Sequence, residues 1–118
     1  RLLVLNGKGM DTRGETEESR QRFQSTAVYA DYQENIQRYF AEFEVDGEVY
    51  QSNDLDSFIA RAISWDGDAI VMNPAFFQDQ SRLSAAVEEL QGRGMPVIEV
   101  HYSNYIRKRE VGAISKVA

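Results

Sequence analysis

The 118-residue sequence contains no cysteine and a single histidine, His101. The first absence excludes disulfides, zinc–thiolate sites and a thiol nucleophile. The second excludes a His-rich metal site within one chain. No apolar run approaches the roughly 18 residues of a membrane span, and no signal-peptide pattern is present, so a cytoplasmic protein without a membrane partner is expected. Positive charge is scarce too. Thirteen Lys and Arg stand against 19 Asp and Glu, a net charge of −6, which argues against nucleic acid as a partner. What remains is 42% hydrophobic and 27% charged, the balance of one domain with one core.

Short apolar runs alternate with amphipathic stretches. "RLLVLN" reads as a buried strand ended by Gly7. The polar segment 7–24, with Gly7, Gly9 and Gly14, has no steady period and reads as a long loop. Ser25 or Thr26 is placed to cap a helix carrying Val28, Tyr32, Ile36, Tyr39, Phe40 and Phe43 on one stripe. "VDGEVYQSN" holds a short strand, and Asp54 caps a helix with Phe58, Ile59, Ala62 and Ile63 on one face. "DAIVMN" is a third strand closed by Pro74. Ser81 opens a helix with Leu83, Ala86, Val87 and Leu90 inward, stopped by Gly92 and Gly94. Pro96 starts a fourth strand, and "AISKVA" is a candidate fifth. The pattern predicts an α/β fold, a three-layer sandwich around a parallel sheet.

In such sheets ligands bind beyond the carboxyl ends of the strands. Strand four runs "PVIEV" and ends at His101-Tyr102-Ser103-Asn104, followed by Arg107-Lys108-Arg109. Lys8, Arg13, Arg20 and Arg22 fall in a loop at the same edge. A positive rim on an acidic chain points to a small anionic ligand. "GKG" after strand one is no dinucleotide loop, because Thr12 stands where the third glycine belongs.

"LLVLNG", "QSN" at 51–53, "AIVMNP" at 69–74, "PVIEVHYSN" at 96–104 and "RE" before "ISKVA" together resemble type II 3-dehydroquinate dehydratase over nearly the whole chain. The resemblance implies a flavodoxin-like single domain over 1–118, with the family's C-terminal helix either absent or lying beyond this sequence, and homo-oligomers built of trimers, usually dodecamers. It also implies a shikimate/quinate-pathway lyase that removes water through an enolate, without metal or cofactor. Asn73, Glu99, His101 and Ser103 match the family's pattern, and Arg109 matches with a one-residue insertion.

The family's catalytic groups match less well. Its "GPN" is "GKG" here, with Gly9 at the Asn. Its catalytic Tyr, the base, aligns with Phe23. Arg13, in "TRGE", is the nearest match to its loop Arg, with Arg20 and Arg22 competing. "NPGAYTHTS", which carries the general-acid His, is "NPAFFQDQS", putting Asp79 at the acid. Phe23 has no hydroxyl and cannot take a proton. An exposed Asp is ionised at neutral pH, and each such loss removes about 10²–10⁴-fold of rate.

Several residues keep two readings. His101 lines a pocket or closes a strand, and Asn73 binds ligand or caps a turn. Ser103 offers its hydroxyl and N–H to an anion or makes a turn, while Glu99 orients His101 or a neighbour. Asp79 is a new general base or an N-terminal helix residue. Arg109 contacts ligand or is solvated. Phe76 and Phe77 wall a pocket or a subunit contact, and Tyr29, Tyr32 and Tyr39 read as packing. The leading function is a diverged relative that binds a small hydroxylated carboxylate, its dehydration chemistry lost or changed. The alternatives are an active dehydratase with a rearranged loop and a non-catalytic assembly or regulatory subunit.

Overall fold

The computed structural model describes residues 1–23 and 26–101, and of Arg22 and Phe23 the backbone alone. Four parallel strands, β1 (Leu2–Lys8), β2 (Gly47–Gln51), β3 (Ala69–Ala75) and β4 (Val97–Glu99), lie in the order β2-β1-β3-β4. That is the doubly wound, flavodoxin-like order, with its switch point between β1 and β3. The helices are α1 (Glu17–Phe23), α2 (Tyr29–Glu42), α3 (Leu55–Ser64) and α4 (Gln80–Gly92). The candidate fifth strand lies outside the described residues.

Register fixes which side chains share a face. Leu3 pairs with Ile70 and Leu5 with Met72, while Ile70 pairs with Val97. All five point to one side of the sheet and are buried against Phe58 and Ala62 of α3 and Leu83, Val87 and Leu90 of α4. Phe77 joins them, edge-on to Phe58 at 5.0 Å between ring centroids. Helix α3 begins at its predicted cap, whereas α4 begins at Gln80, one residue before the expected Ser81, with Asp79 as its cap. Asp54 accepts from the backbone N–H of Ser57, and Asp79 from that of Arg82. Arg82 reaches across to bond Asp56, tying α4 to α3. Arg93 closes the other end by donating to the carbonyls of Ile63 and Trp65 at 2.8 Å each.

The opposite face carries Val4, Asn6, Val71, Asn73 and Ile98 by the same alternation. There α2 packs against β2. Of its predicted stripe only Phe40 is buried; Tyr39 and Phe43 are exposed and stack on each other at 6.3 Å.

The expected long loop is not one. β1 continues to Lys8, a 3₁₀ turn follows at Met10–Thr12, and α1 begins at Glu17. Met10, fully buried, pins the turn. Thr16 Oγ1 accepts the backbone N–H of Ser19, an N-cap for α1. Ser19 Oγ accepts from Gly14 N, and Arg20 donates to the Gly14 carbonyl at 3.1 Å. Side-chain-to-backbone bonds, rather than an apolar stripe, hold this segment, so hydrophobic periodicity does not reveal it. The expected cap of α2 moves as well. Val28 precedes the helix, and Asp31 accepts its N–H at 2.9 Å. Thr26 is outside the helix, and Ser25 lies outside the described residues.

Candidate functional site

The carboxyl ends of β1 and β3 hold a buried polar core. Asn6 and Asn73 are opposite each other in register and nearly inaccessible, at 0% and 1% exposure. Asn73 Nδ2 donates to Asn6 Oδ1 at 3.3 Å, and Asn73 Oδ1 accepts from Ala75 N at 3.3 Å. Ala75 has φ of 55°, the left-handed region that an alanine enters at a cost. The family's motif has glycine at this place. Just before it the chains approach closely: a Cβ on Gly7 would stand 2.2 Å from the Pro74 carbonyl oxygen.

Tyr29, the first residue of α2, brings its hydroxyl to this core. Its oxygen is buried with no well-formed hydrogen bond, as is Asn6 Nδ2. Burial, and to a lesser degree the Asp11 charge, raises its pKa above the usual tyrosine value, although the amides of Asn6 and Gln33 favour the anion. The hydroxyl is therefore held protonated, a condition opposite to that of a base.

The loop after β1 is fastened from β2. Asn53 Oδ1 accepts from Gly9 N at 2.9 Å and from Gln51 Nε2 at 3.0 Å, and Asn53 Nδ2 donates to Asp11 at 3.1 Å. "QSN" thus positions the backbone at Gly9, a role its residue types alone do not announce.

Beside Gly9 opens a cleft of about 280 Å³ between the strand ends, marked by Gly9 and Phe76, and the following segment, from which Thr12, Arg13, Thr16, Glu18 and Ser19 face it. Arg13 is only 4% exposed, and its guanidinium carbon lies 5.9 Å from the centre of the Tyr32 ring. The volume sits at the small end of ligand sites, which run from about 300 Å³. It suits a single-ring molecule, not a dinucleotide.

The other predicted site residues are distributed along the same edge. Glu99 and His101 form a pair at the end of β4, His101 Nε2 bonding Glu99 Oε1 at 2.6 Å. A carboxylate only accepts, so Nε2 carries the proton of this bond. Asp79 caps α4. Its carboxylate accepts Arg82 N–H and the Ser81 hydroxyl, both at 3.1 Å, and these bonds hold its pKa below the usual Asp value. Phe77 belongs to the core and Phe76 to the cleft. The side chains of Phe23 and Arg22, and Ser103 and Arg109 with the rest of 102–118, lie outside the described residues. No group of three or more potential metal ligands occurs among the described residues, and no helix among them is long and apolar enough to cross a membrane.

Three comparisons converge on one family. The family model "Dehydroquinase class II" matches residues 1–118. A 3-dehydroquinate dehydratase of Desulforudis audaxviator is 33% identical over 125 aligned residues, covering 100% of this chain and 77% of that relative. One of Thermotoga petrophila is 28% identical over 93% of this chain and 73% of its own length. Among solved structures, the type II dehydroquinase of Butyrivibrio crossotus superposes with a TM-score of 0.79 at 26% identity, over 92% of this chain and 74% of that one. That of Propionibacterium acnes gives 0.77 at 29%, over 93% and 73%. A family model spanning the sequence, relatives matched along nearly all of it and the same parallel sheet lead to one conclusion: the chain belongs to the class II dehydroquinase family.

Proposed function

We propose that this chain is a diverged class II dehydroquinase that binds a small hydroxylated carboxylate at the carboxyl edge of its sheet and no longer dehydrates 3-dehydroquinate at an enzymatic rate. The observation that carries the reading is Asp79. At the position matching the family's general acid stands a carboxylate occupied as a helix cap and held ionised. It has no proton to give a leaving hydroxyl near neutral pH.

The base side supports the same reading. Dehydration next to a ketone needs a group that accepts the α-proton. Phe23 matches the family's Tyr and has no hydroxyl. Tyr29 is the described hydroxyl at the buried core of the strand ends that a rearranged site would turn to, and its raised pKa disfavours that role. The ligand-holding groups remain. Arg13 supplies positive charge at the cleft, and His101, held by Glu99, stands at the end of β4 on the same sheet edge. Asn73 holds the turn at the end of β3. Ser103 and Arg109 complete the anion site in this proposal, and charge-assisted bonds of this kind contribute about 1.5–3 kcal/mol each. The protein is a homo-oligomer of trimers in the same proposal; light scattering reporting a 13.5 kDa particle at micromolar concentration would remove that part.

The test is calorimetric titration with quinate and shikimate of the wild type, His101→Ala and Arg109→Ala. Wild type is expected to bind and both variants to bind at least tenfold more weakly. Equal binding by all three places the ligand elsewhere, and no binding at millimolar ligand favours an assembly or regulatory subunit.

A further inference from the structure

The turn at the end of β3 is strained for the residue that makes it. Ala75 adopts φ of 55°, a left-handed conformation that favours glycine. Two bonds hold it. Asn73 Oδ1 accepts from Ala75 N at 3.3 Å, and the next amide, Phe76 N, donates to the Lys8 carbonyl at 3.0 Å. Beyond the turn the chain divides its rings: Phe76 borders the cleft and Phe77 enters the core. One wall of the cleft therefore hangs on a turn that an alanine leaves readily once its bonds are lost.

The direction of those bonds is dictated at one point. A backbone N–H only donates, so Asn73 must present its oxygen to Ala75. Its Nδ2 then faces Asn6 and donates to Asn6 Oδ1 at 3.3 Å. Turning either amide over would set two nitrogens or two oxygens against each other. Asn6 is left with Nδ2 directed out of the pair, a donor on a side chain with 0% exposure. A buried donor without an acceptor is costly, and native structures nearly always supply one. Tyr29 stands at this place. Its oxygen is likewise buried without a well-formed hydrogen bond, and the Asn6 amide is near enough to favour its anion. The start of α2 that carries it is fixed, because Asp31 accepts the N–H of Val28 at 2.9 Å. Gln33, one helical turn further on, also brings its amide to the hydroxyl, and its oxygen can take the proton that Tyr29 turns away from Asn6.

We infer that Tyr29 is a positioning residue for the cleft wall: its oxygen accepts from Asn6 Nδ2 and completes a one-way relay, Ala75 N–H to Asn73 to Asn6 to Tyr29, that holds the left-handed turn before Phe76. Each member accepts from one neighbour and donates to the next, so each bond polarises the one after it. Losing the phenol oxygen strands Asn6 Nδ2 and loosens the bonds behind it. The start of α2 and the cleft wall thus act as one unit. The relay needs no ligand and stands whether or not the ligand-binding reading does.

Backbone amide hydrogen exchange, read residue by residue by NMR, tests this on wild type and on Tyr29→Phe, which keeps the ring and removes the oxygen. Leu90 N–H in α4 reports the stability of the fold as a whole. Relative to Leu90, Ala75 N–H is expected to exchange about tenfold faster or more in Tyr29→Phe. An equal change at both amides reduces Tyr29 to a general contribution to stability and overturns the inference. An Ala75 N–H that exchanges at the free-peptide rate in wild type overturns it too. In an Asn73→Ala background, where the relay is already cut, Tyr29→Phe is expected to leave the ratio of the two rates unchanged. The same tenfold effect there would mean that Tyr29 does not act through Asn73. A further measurement uses wild type alone. A nuclear Overhauser contact between the Asn6 side-chain amide protons and the Tyr29 ring protons beside the hydroxyl is expected, and its absence overturns the relay.

Discussion

The sheet face beneath α3 and α4 and the strand ends beneath the start of α2 are both closed to water, but with different chemistry. The first buries Leu3, Leu5, Phe58, Ile70, Met72 and Leu90 and places its polar groups at helix ends, where Asp54, Asp79 and Arg93 each have partners. The second buries Asn6, Asn73 and Arg13 and leaves the Tyr29 oxygen without a well-formed hydrogen bond. Apolar burial is non-directional and stabilises wherever it occurs. Polar burial is costly unless each group is satisfied, and a protein that keeps it has a use for it. The contrast separates the part of the molecule that holds the fold from the candidate site.

The largest expected effect breaks the first region. Phe58→Ala removes a fully buried ring that touches Phe77 and is expected to cost about 3–5 kcal/mol in urea unfolding. Phe43→Ala, at a ring 67% exposed, is expected to stay within about 0.5 kcal/mol. Equal losses would mean that α2 has a partner in solution. Next in size, Asn73→Ala strips the bond to Asn6 and the support of Ala75 N–H, an expected loss of about 1–3 kcal/mol read from the same curves.

Acid and alkali act on the two regions from opposite sides of the pH range. Asp54 and Asp79 have pKa values lowered by the helix ends they cap. Their stabilisation is present above the ordinary Asp value and is lost as pH falls through the lowered values. Asp54→Ala with Asp79→Ala should therefore lower the thermal midpoint at pH 7 by more than at pH 2. Tyr29 is raised by burial, so its contribution is present at neutral pH and is lost as pH rises through its folded value, above the usual 10. Tyr29 should ionise late in an alkaline absorbance titration, and Tyr29→Phe should delete that late step. The smallest effect has the opposite sign. Ala75→Gly relieves a left-handed alanine and is expected to stabilise by about 1 kcal/mol.

The same contrast explains what the sequence disclosed. Helices α3 and α4 were legible because Phe58, Ala62, Leu83, Val87 and Leu90 recur at helical spacing against one apolar face, and Asp54 announces its cap. Segment 7–24 was illegible because α1 is seven residues long and is held by Thr16, Ser19 and Arg20 bonding backbone, which leaves no periodic trace. Thr16 followed by Glu17 and Glu18 was the signal available there. Tyr29 read as packing because nothing in its neighbours says that its hydroxyl will face Asn6 from another element. The motifs placed Asn73, Glu99 and His101 at one sheet edge, since strand ends follow from strand order. The close approach of Gly9 and Phe76 joins distant segments, and neither residue alone announces it.

Loss of the dehydration chemistry is tested by following absorbance of the enone product after adding 3-dehydroquinate to purified protein. Wild type is expected to show no turnover approaching 1 per second, near the lower bound of the usual enzyme range. Phe23→Tyr combined with Asp79→His is expected to recover more activity than either change alone. A wild-type turnover of about 1 per second or more would show that the dehydration chemistry is kept.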